Sequence, residues 1–199
     1  MKVYYIGVFR RDPEPTFELC SQTDLSSFGY FQQTPVSEFM SLFARAIAES
    51  KDLTPRQEVA EQSYVFYVYK RSEGIVSVVI TDQEYPKQVA HKLLSQVSDD
   101  FLTTYTRAKW SQAGKLPLPV LGEYIVKYQD PKQADSMLRI QQELDETKIV
   151  LHKTIESVLE RGEKIDNLVA RSEGLSSSSK MFYTQVPRPS PIATIKGSR

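Results

Sequence analysis

Residues 143–169 read ELDETKIVLHKTIESVLERGEKIDNLV, and the spacing of their apolar side chains decides how the C-terminal third is built. Alternating steps of three and four from Met137 land on Met137, Ile140, Leu144, Thr147, Leu151, Thr154, Val158, Arg161, Ile165, Leu168, Ser172, Leu175, Ser179, Phe182 and Val186. Ten of these 15 positions are apolar, and the mean step of 3.5 is the coiled-coil period. No proline interrupts 133–185. The spacing predicts a helix over 134–186, on the order of 75 Å long at 1.5 Å per residue. With one apolar stripe, such a helix is not stable alone in water and requires partners. Arg161 stands in the middle of that stripe with five N–H donors and no acceptor. Buried against oxygens of other helices it fixes one register; alternatively its head snorkels to solvent.

Upstream the character changes at Asp130-Pro131. Lys2–Phe9 is rich in strand-forming residues, Arg11–Pro15 breaks the chain, and Thr16–Ser21 returns as a hairpin partner. Pro35 opens a helix whose apolar face is Val36, Phe39, Met40, Phe43 and Ile47. Gln62–Lys70 and Gly74–Thr81 form a second hairpin about Arg71–Glu73. Pro86 starts a helix buried through Val89, Leu93, Leu94, Val97 and Phe101. Lys109–Pro119 reads as irregular, and a short helix follows at Val120–Tyr128. The order β-β-α-β-β-α, with one more strand before the second long helix as an alternative and a further helix after it, describes an α+β domain with a largely antiparallel sheet.

The 25 basic residues balance 25 acidic ones, which gives no basic surface for nucleic acid. Cys20 is the single cysteine, so no intrachain disulfide forms. Its compartment reads as reducing and cytoplasmic. The N-terminus lacks the pattern of a signal peptide. The apolar runs Tyr64–Tyr69 and Ile75–Ile80 are far short of the roughly 20 residues of a membrane span. His91, His152 and Cys20 are scattered. No catalytic residue, metal ligand or cofactor is assigned, and the protein is not expected to be an enzyme.

The string 143–169, with its VLER at 158–161, resembles the R-SNARE motif. KVYYIGVF (2–9), DLSSFGYF (24–31), RSEGIVSVVITDQEYP (71–86), YQDPKQAD (128–135) and SSKMFY (178–183) are similar to the lipid-anchored longin R-SNAREs called the Ykt-six family, synaptobrevin-like v-SNAREs. The resemblance covers roughly 1–183. It implies a profilin-like longin domain over 1–130, an antiparallel sheet flanked by helices. A coiled-coil R-SNARE helix is implied over 134–186, and a disordered, proline-containing tail over 187–199. It implies Arg161 as the central layer of a bundle with three glutamine-bearing Q-SNARE helices. The core layers are then Met137, Ile140, Leu144, Thr147, Leu151, Thr154, Val158, Ile165, Leu168, Ser172, Leu175, Ser179 and Phe182.

Its expected function is vesicle docking and membrane fusion, with SNAP receptor activity, in ER-to-Golgi, Golgi and vacuolar or endosomal transport. The longin domain is expected to contact the SNARE segment within the chain through Phe39, Leu42 and Phe43. At least two of these three are expected to serve core packing instead. The expected location is cytoplasmic, cycling to the cytosolic faces of Golgi, vesicle and vacuolar or endosomal membranes. The family ends in a prenylation box with a neighbouring cysteine, and no cysteine follows Cys20 here. No lipidation site is found, and membranes are partners only if a lipidated C-terminus exists. Two further readings stay open. One is an unanchored form that occupies partner SNAREs and inhibits or buffers assembly. The other is a longin trafficking adaptor with an incidental coiled coil.

Overall fold

The computed structural model describes residues 1–112, 114–132 and 148–185 of the 199-residue chain. A mixed sheet has two helical layers around it. The elements of the first part are β1 (Val3–Arg10), β2 (Phe17–Thr23), α1 (Tyr30–Glu49), β3 (Arg56–Glu61), β4 (Tyr64–Lys70), β5 (Ile75–Asp82), α2 (Lys87–Thr104), α3 (Arg107–Gln112) and α4 (Val120–Lys127). The C-terminal part adds β6 (Ile149–His152), a 3₁₀ turn (Glu156–Val158), α5 (Ile165–Arg171) and α6 (Ser177–Gln185). Strand order is β2-β1-β5-β4-β3-β6. The pairs among β1–β5 are antiparallel, and β6 joins β3 in parallel.

Both sheet faces are covered, so the central strands read as nearly continuous apolar runs. Their period of two still sorts them. Tyr64, Phe66, Val68, Val76, Val78 and Ile80 face α1 and the C-terminal segment. Tyr67, Ile75 and Val79 face α2, α3 and α4, where Leu93, Phe101, Trp110 and Leu121 complete the second core.

Three local features differ from expectation. α1 starts at Tyr30, five residues before Pro35, which lies within its second turn. The donor that Pro35 lacks leaves the carbonyl of Phe31 without its intrahelical bond, and Phe31 is exposed to water. β3 is a strand in its own right, joined to β4 by Gln62-Ser63 with Gln62 at φ 54. Its RQEVAE sequence is poor in strand formers, yet Arg56, Gln57, Glu58 and Glu61 are buried. Each has a hydrogen-bond partner outside the strand, although the buried Gln57 Nε2 has none among the described residues. Arg56 donates to the His91 carbonyl and the Ser95 hydroxyl, and Gln57 accepts from the Thr54 N–H. Glu58 meets His91 Nε2 at 3.0 Å, and Glu61 accepts from the Ile155 N–H. α3 occupies part of the stretch read as irregular, held by the fully buried Trp110.

The α+β architecture with a longin-type sheet stands, but a single long helix over 134–186 is not the form that residues 149–185 take here. A lone helix would leave its stripe in water. Docked as a strand, a turn and two short helices, the segment buries part of that stripe on the sheet edge and α1. The β-branched pair Ile149-Val150 suits a strand. Gly162, at φ 89, permits the reversal after Arg161 with open space around its Cα.

Candidate functional site

The C-terminal segment lies along one edge and one face of the sheet domain. β6 pairs Ile149, Val150, Leu151 and His152 with Arg56, Gln57, Glu58 and Val59. Thr154 closes the next turn. Its hydroxyl accepts the Ser157 N–H at 3.2 Å, and its carbonyl accepts the Ser157 hydroxyl. Inside that turn Ile155 is 0% exposed and packs into the α1-side core with Val158. Its N–H donates to Glu61 Oε2 at 2.9 Å. Burial pushes the Glu61 carboxyl up; the Ile155 N–H opposes that and nearby Glu156 adds to it. Full burial of an isoleucine contributes about 1.5–3 kcal/mol, so Ile155 is a principal anchor. The Lys51–Glu160 pair is largely exposed at both ends and contributes little.

Beyond Gly162, Glu156 accepts the Ile165 N–H at 3.2 Å and so caps α5. Leu168 and Val169 enter the core from α5, and Leu175 follows. Glu38 on α1 accepts the Ser176 N–H at 2.8 Å, at the threshold of α6. The Ser176 hydroxyl accepts the Ser179 N–H at 3.2 Å. The Tyr183 ring lies 5.8 Å from Phe39, and its hydroxyl donates to Asp166. A polar cleft runs between α1 and α5, lined in part by Glu18, Ser41, Leu42, Lys115, Leu168 and Arg171. At its floor Glu18 accepts from Tyr5, Ser21, Ser41 and Lys115. Burial works to raise the Glu18 carboxyl, but the hydrogen bonds from Ser41, Tyr5 and Ser21 hold it below its usual value.

The residues singled out in the sequence scatter over this arrangement. Val158, Leu168, Leu175 and Ser179 are buried. Ile165 and Phe182 are partly buried against the core, and Ser172 is half-buried. Leu151 is 65% exposed, and Thr154 and Arg161 are exposed. Met137, Ile140, Leu144, Thr147 and Val186 lie outside the described residues. Phe39 and Phe43 are buried and stacked at 6.0 Å, and Leu42 is partly buried beside them. Ile155, Val169, Glu61 and Glu38 did not emerge from the stripe. The first two carried a signal, since both are apolar residues beside it. The two glutamates carried none, because their partners lie far along the chain.

Scattered candidates for chemistry do not converge. Cys20 lies on β2 with its thiol pushed up to about 12, first by burial and then by Glu18, which makes it a poor nucleophile. Among the described residues no cluster of His, Cys, Asp or Glu is arranged to hold a metal ion. Among them, too, no helix is long and apolar enough to cross a membrane.

Comparison with known proteins accounts for both halves. The longin family, described as a regulated-SNARE-like domain, matches residues 25–125, and synaptobrevin matches residues 136–187. The synaptobrevin homolog ykt6 of Schizosaccharomyces pombe is 53% identical over 184 residues, covering 92% of this chain and 93% of its own. The synaptobrevin homolog YKT6 of Saccharomyces cerevisiae is 50% identical over 192 residues, covering 94% and 96%. That of Eremothecium gossypii is 51% identical over 192 residues, with the same coverage. A chain this similar over nearly its whole length belongs to the Ykt6 family of longin R-SNAREs, which are trafficking proteins and not enzymes.

Proposed function

We propose that this chain drives vesicle docking and membrane fusion by contributing one helix, residues 134–186, to a four-helix bundle with three Q-SNARE helices. The observation that carries this reading is the apolar stripe interrupted by Arg161. Val158 and Ile165 flank it, and the arginine meets one glutamine from each partner helix. Each layer formed removes apolar area from water at roughly 25 cal/mol per Å². Where partners are anchored in opposing bilayers, that free energy draws the membranes together. The routes in this proposal are ER-to-Golgi, Golgi and vacuolar or endosomal transport, at the cytosolic faces of those membranes.

The sheet domain, residues 1–130, regulates this step by holding the segment folded back. Four stripe residues buried in the docked form support it: Val158, Leu168, Leu175 and Ser179. They are unavailable to partner helices until the segment is released, so docking and bundling compete. Phe39 and Leu42 take part from α1, Phe39 through Tyr183 and Leu42 on the cleft that Leu168 also lines. Phe43 supports Phe39 from below.

The test is assembly of the full chain with three Q-SNARE helices, followed by circular dichroism and amide exchange. Helical signal rises beyond the sum of the components, and β6 exchanges its strand pairing for helical protection. Arg161→Ala removes the register and slows assembly. Assembly that adds no helix, or that proceeds as well with Arg161→Ala, overturns the reading.

A further inference from the structure

We infer that Ile155, seconded by Val169, selects the folded-back form over the bundle, so that the two states of the segment answer to separable residues. The inference rests on the bundle reading above and gives a task to side chains that the bundle leaves beside its seam.

Steps of three and four make Val158 and Arg161 the a and d positions of one heptad. Ile155 and Val169 then both fall on e, two heptads apart. Positions e and g flank a seam and ordinarily carry charged residues, as Lys148 does one heptad before Ile155. An isoleucine and a valine there are unexplained by the bundle. The docked form explains them. Ile155 is 0% and Val169 4% exposed, both within the core that α1 and the sheet share. Of the seam residues around Ile155 only Val158 is buried with it; Leu151, Thr154 and Arg161 face water.

The hydrogen bonding makes the two states exclusive at this point. In the docked form the Ile155 N–H donates to Glu61 Oε2 at 2.9 Å. In a continuous helix the same N–H belongs to the Leu151 carbonyl, four residues back. Forming the helix therefore withdraws Ile155 from the core and its N–H from Glu61 in one step. It also dissolves β6, whose last residue, His152, precedes Ile155 by less than one helical turn.

Amide exchange on the full chain, and its assembly with three Q-SNARE helices, test this with four variants. Ile155→Ser speeds exchange at 149–158 by about tenfold or more, as loss of a buried anchor does to local opening. It quickens assembly, and the denaturant midpoint of the finished bundle stays at the wild-type value. Ile155→Val restores slow exchange. Glu61→Ala reproduces the fast exchange with no change in the seam. Val158→Ser, on the seam, loosens docking and also lowers the bundle midpoint.

The inference is overturned if Ile155→Ser exchanges as the wild type does, or lowers the bundle midpoint as far as Val158→Ser. Loss of protection in β1 and β5 as well also overturns it, since Ile155 would then hold up the whole domain. Wild-type amides at 149–183 exchanging at intrinsic rates would sink the fold-back reading and this inference together. Protected wild-type amides with an unresponsive Ile155→Ser variant sink the inference alone.

Discussion

The sheet domain and the C-terminal segment are built from similar fractions of apolar side chains but use them differently. In β4 and β5 each apolar residue has one address. Tyr64, Phe66 and Val68 face α1, Tyr67 and Val79 face α2, and no alternative register keeps both faces dry. In 148–185 the apolar residues outnumber the places offered. Ile155, Val158, Leu168, Val169 and Leu175 are buried, whereas Leu151 and Met181 stand largely in water. A segment that leaves part of its stripe unused is held, not completed. That is the physical condition for exchanging one set of neighbours for another.

The largest effect belongs to the part with a single address. Phe66→Ala, at the centre of the α1-side core, costs about 3–5 kcal/mol. It lowers the thermal midpoint of the domain by roughly 10–20 °C. A change of a few degrees would mean that this core is less fixed than its burial implies. Next comes Leu168→Ala, expected to cost about 2–3 kcal/mol where it is docked. The cost falls on local opening: amides of α5 and α6 exchange faster while those of β1 and β5 hold. Loss of protection in β1 would erase the distinction between the two regions.

Leu151→Ser is the converse. That side chain is 65% exposed when docked, so exchange at α5 and α6 stays unchanged while assembly with partner helices weakens. The smallest effect concerns Glu18. Its folded carboxyl titrates below its unfolded value, so its contribution is complete above about pH 4.5 and is lost as pH falls through the folded value. Glu18→Gln flattens that acid limb in a plot of thermal midpoint against pH. An unchanged limb would show that the hydroxyls of Tyr5, Ser21 and Ser41 do not bias its ionisation.

What was legible in advance follows the same division. β1, β4, β5 and α2 were read from apolar runs and periodicity, because their neighbours are determined by which residues must leave water. β3 was not, because Arg56, Gln57, Glu58 and Glu61 belong inside only once His91, Ser95, Thr54 and Ile155 arrive to bond them. Among the candidate residues, the stripe centred on Arg161 was legible from spacing. The pairing of Ile155 with Glu61 was not, since 94 residues separate them.

The sequence alone determined that residues 137–186 carry a 3.5-residue stripe with an arginine at its middle, because periodicity is a property of order along the chain. It also determined that the stripe must be covered, because exposed apolar area is costly. Only the tertiary structure decided what covers it when the chain is by itself. The edge of β3 and the face of α1 lie within reach. An isoleucine in the core takes from water a side chain that a lone helix would leave exposed, while the strand pairing and the glutamate under the Ile155 N–H replace the backbone bonds that the helix would have made internally.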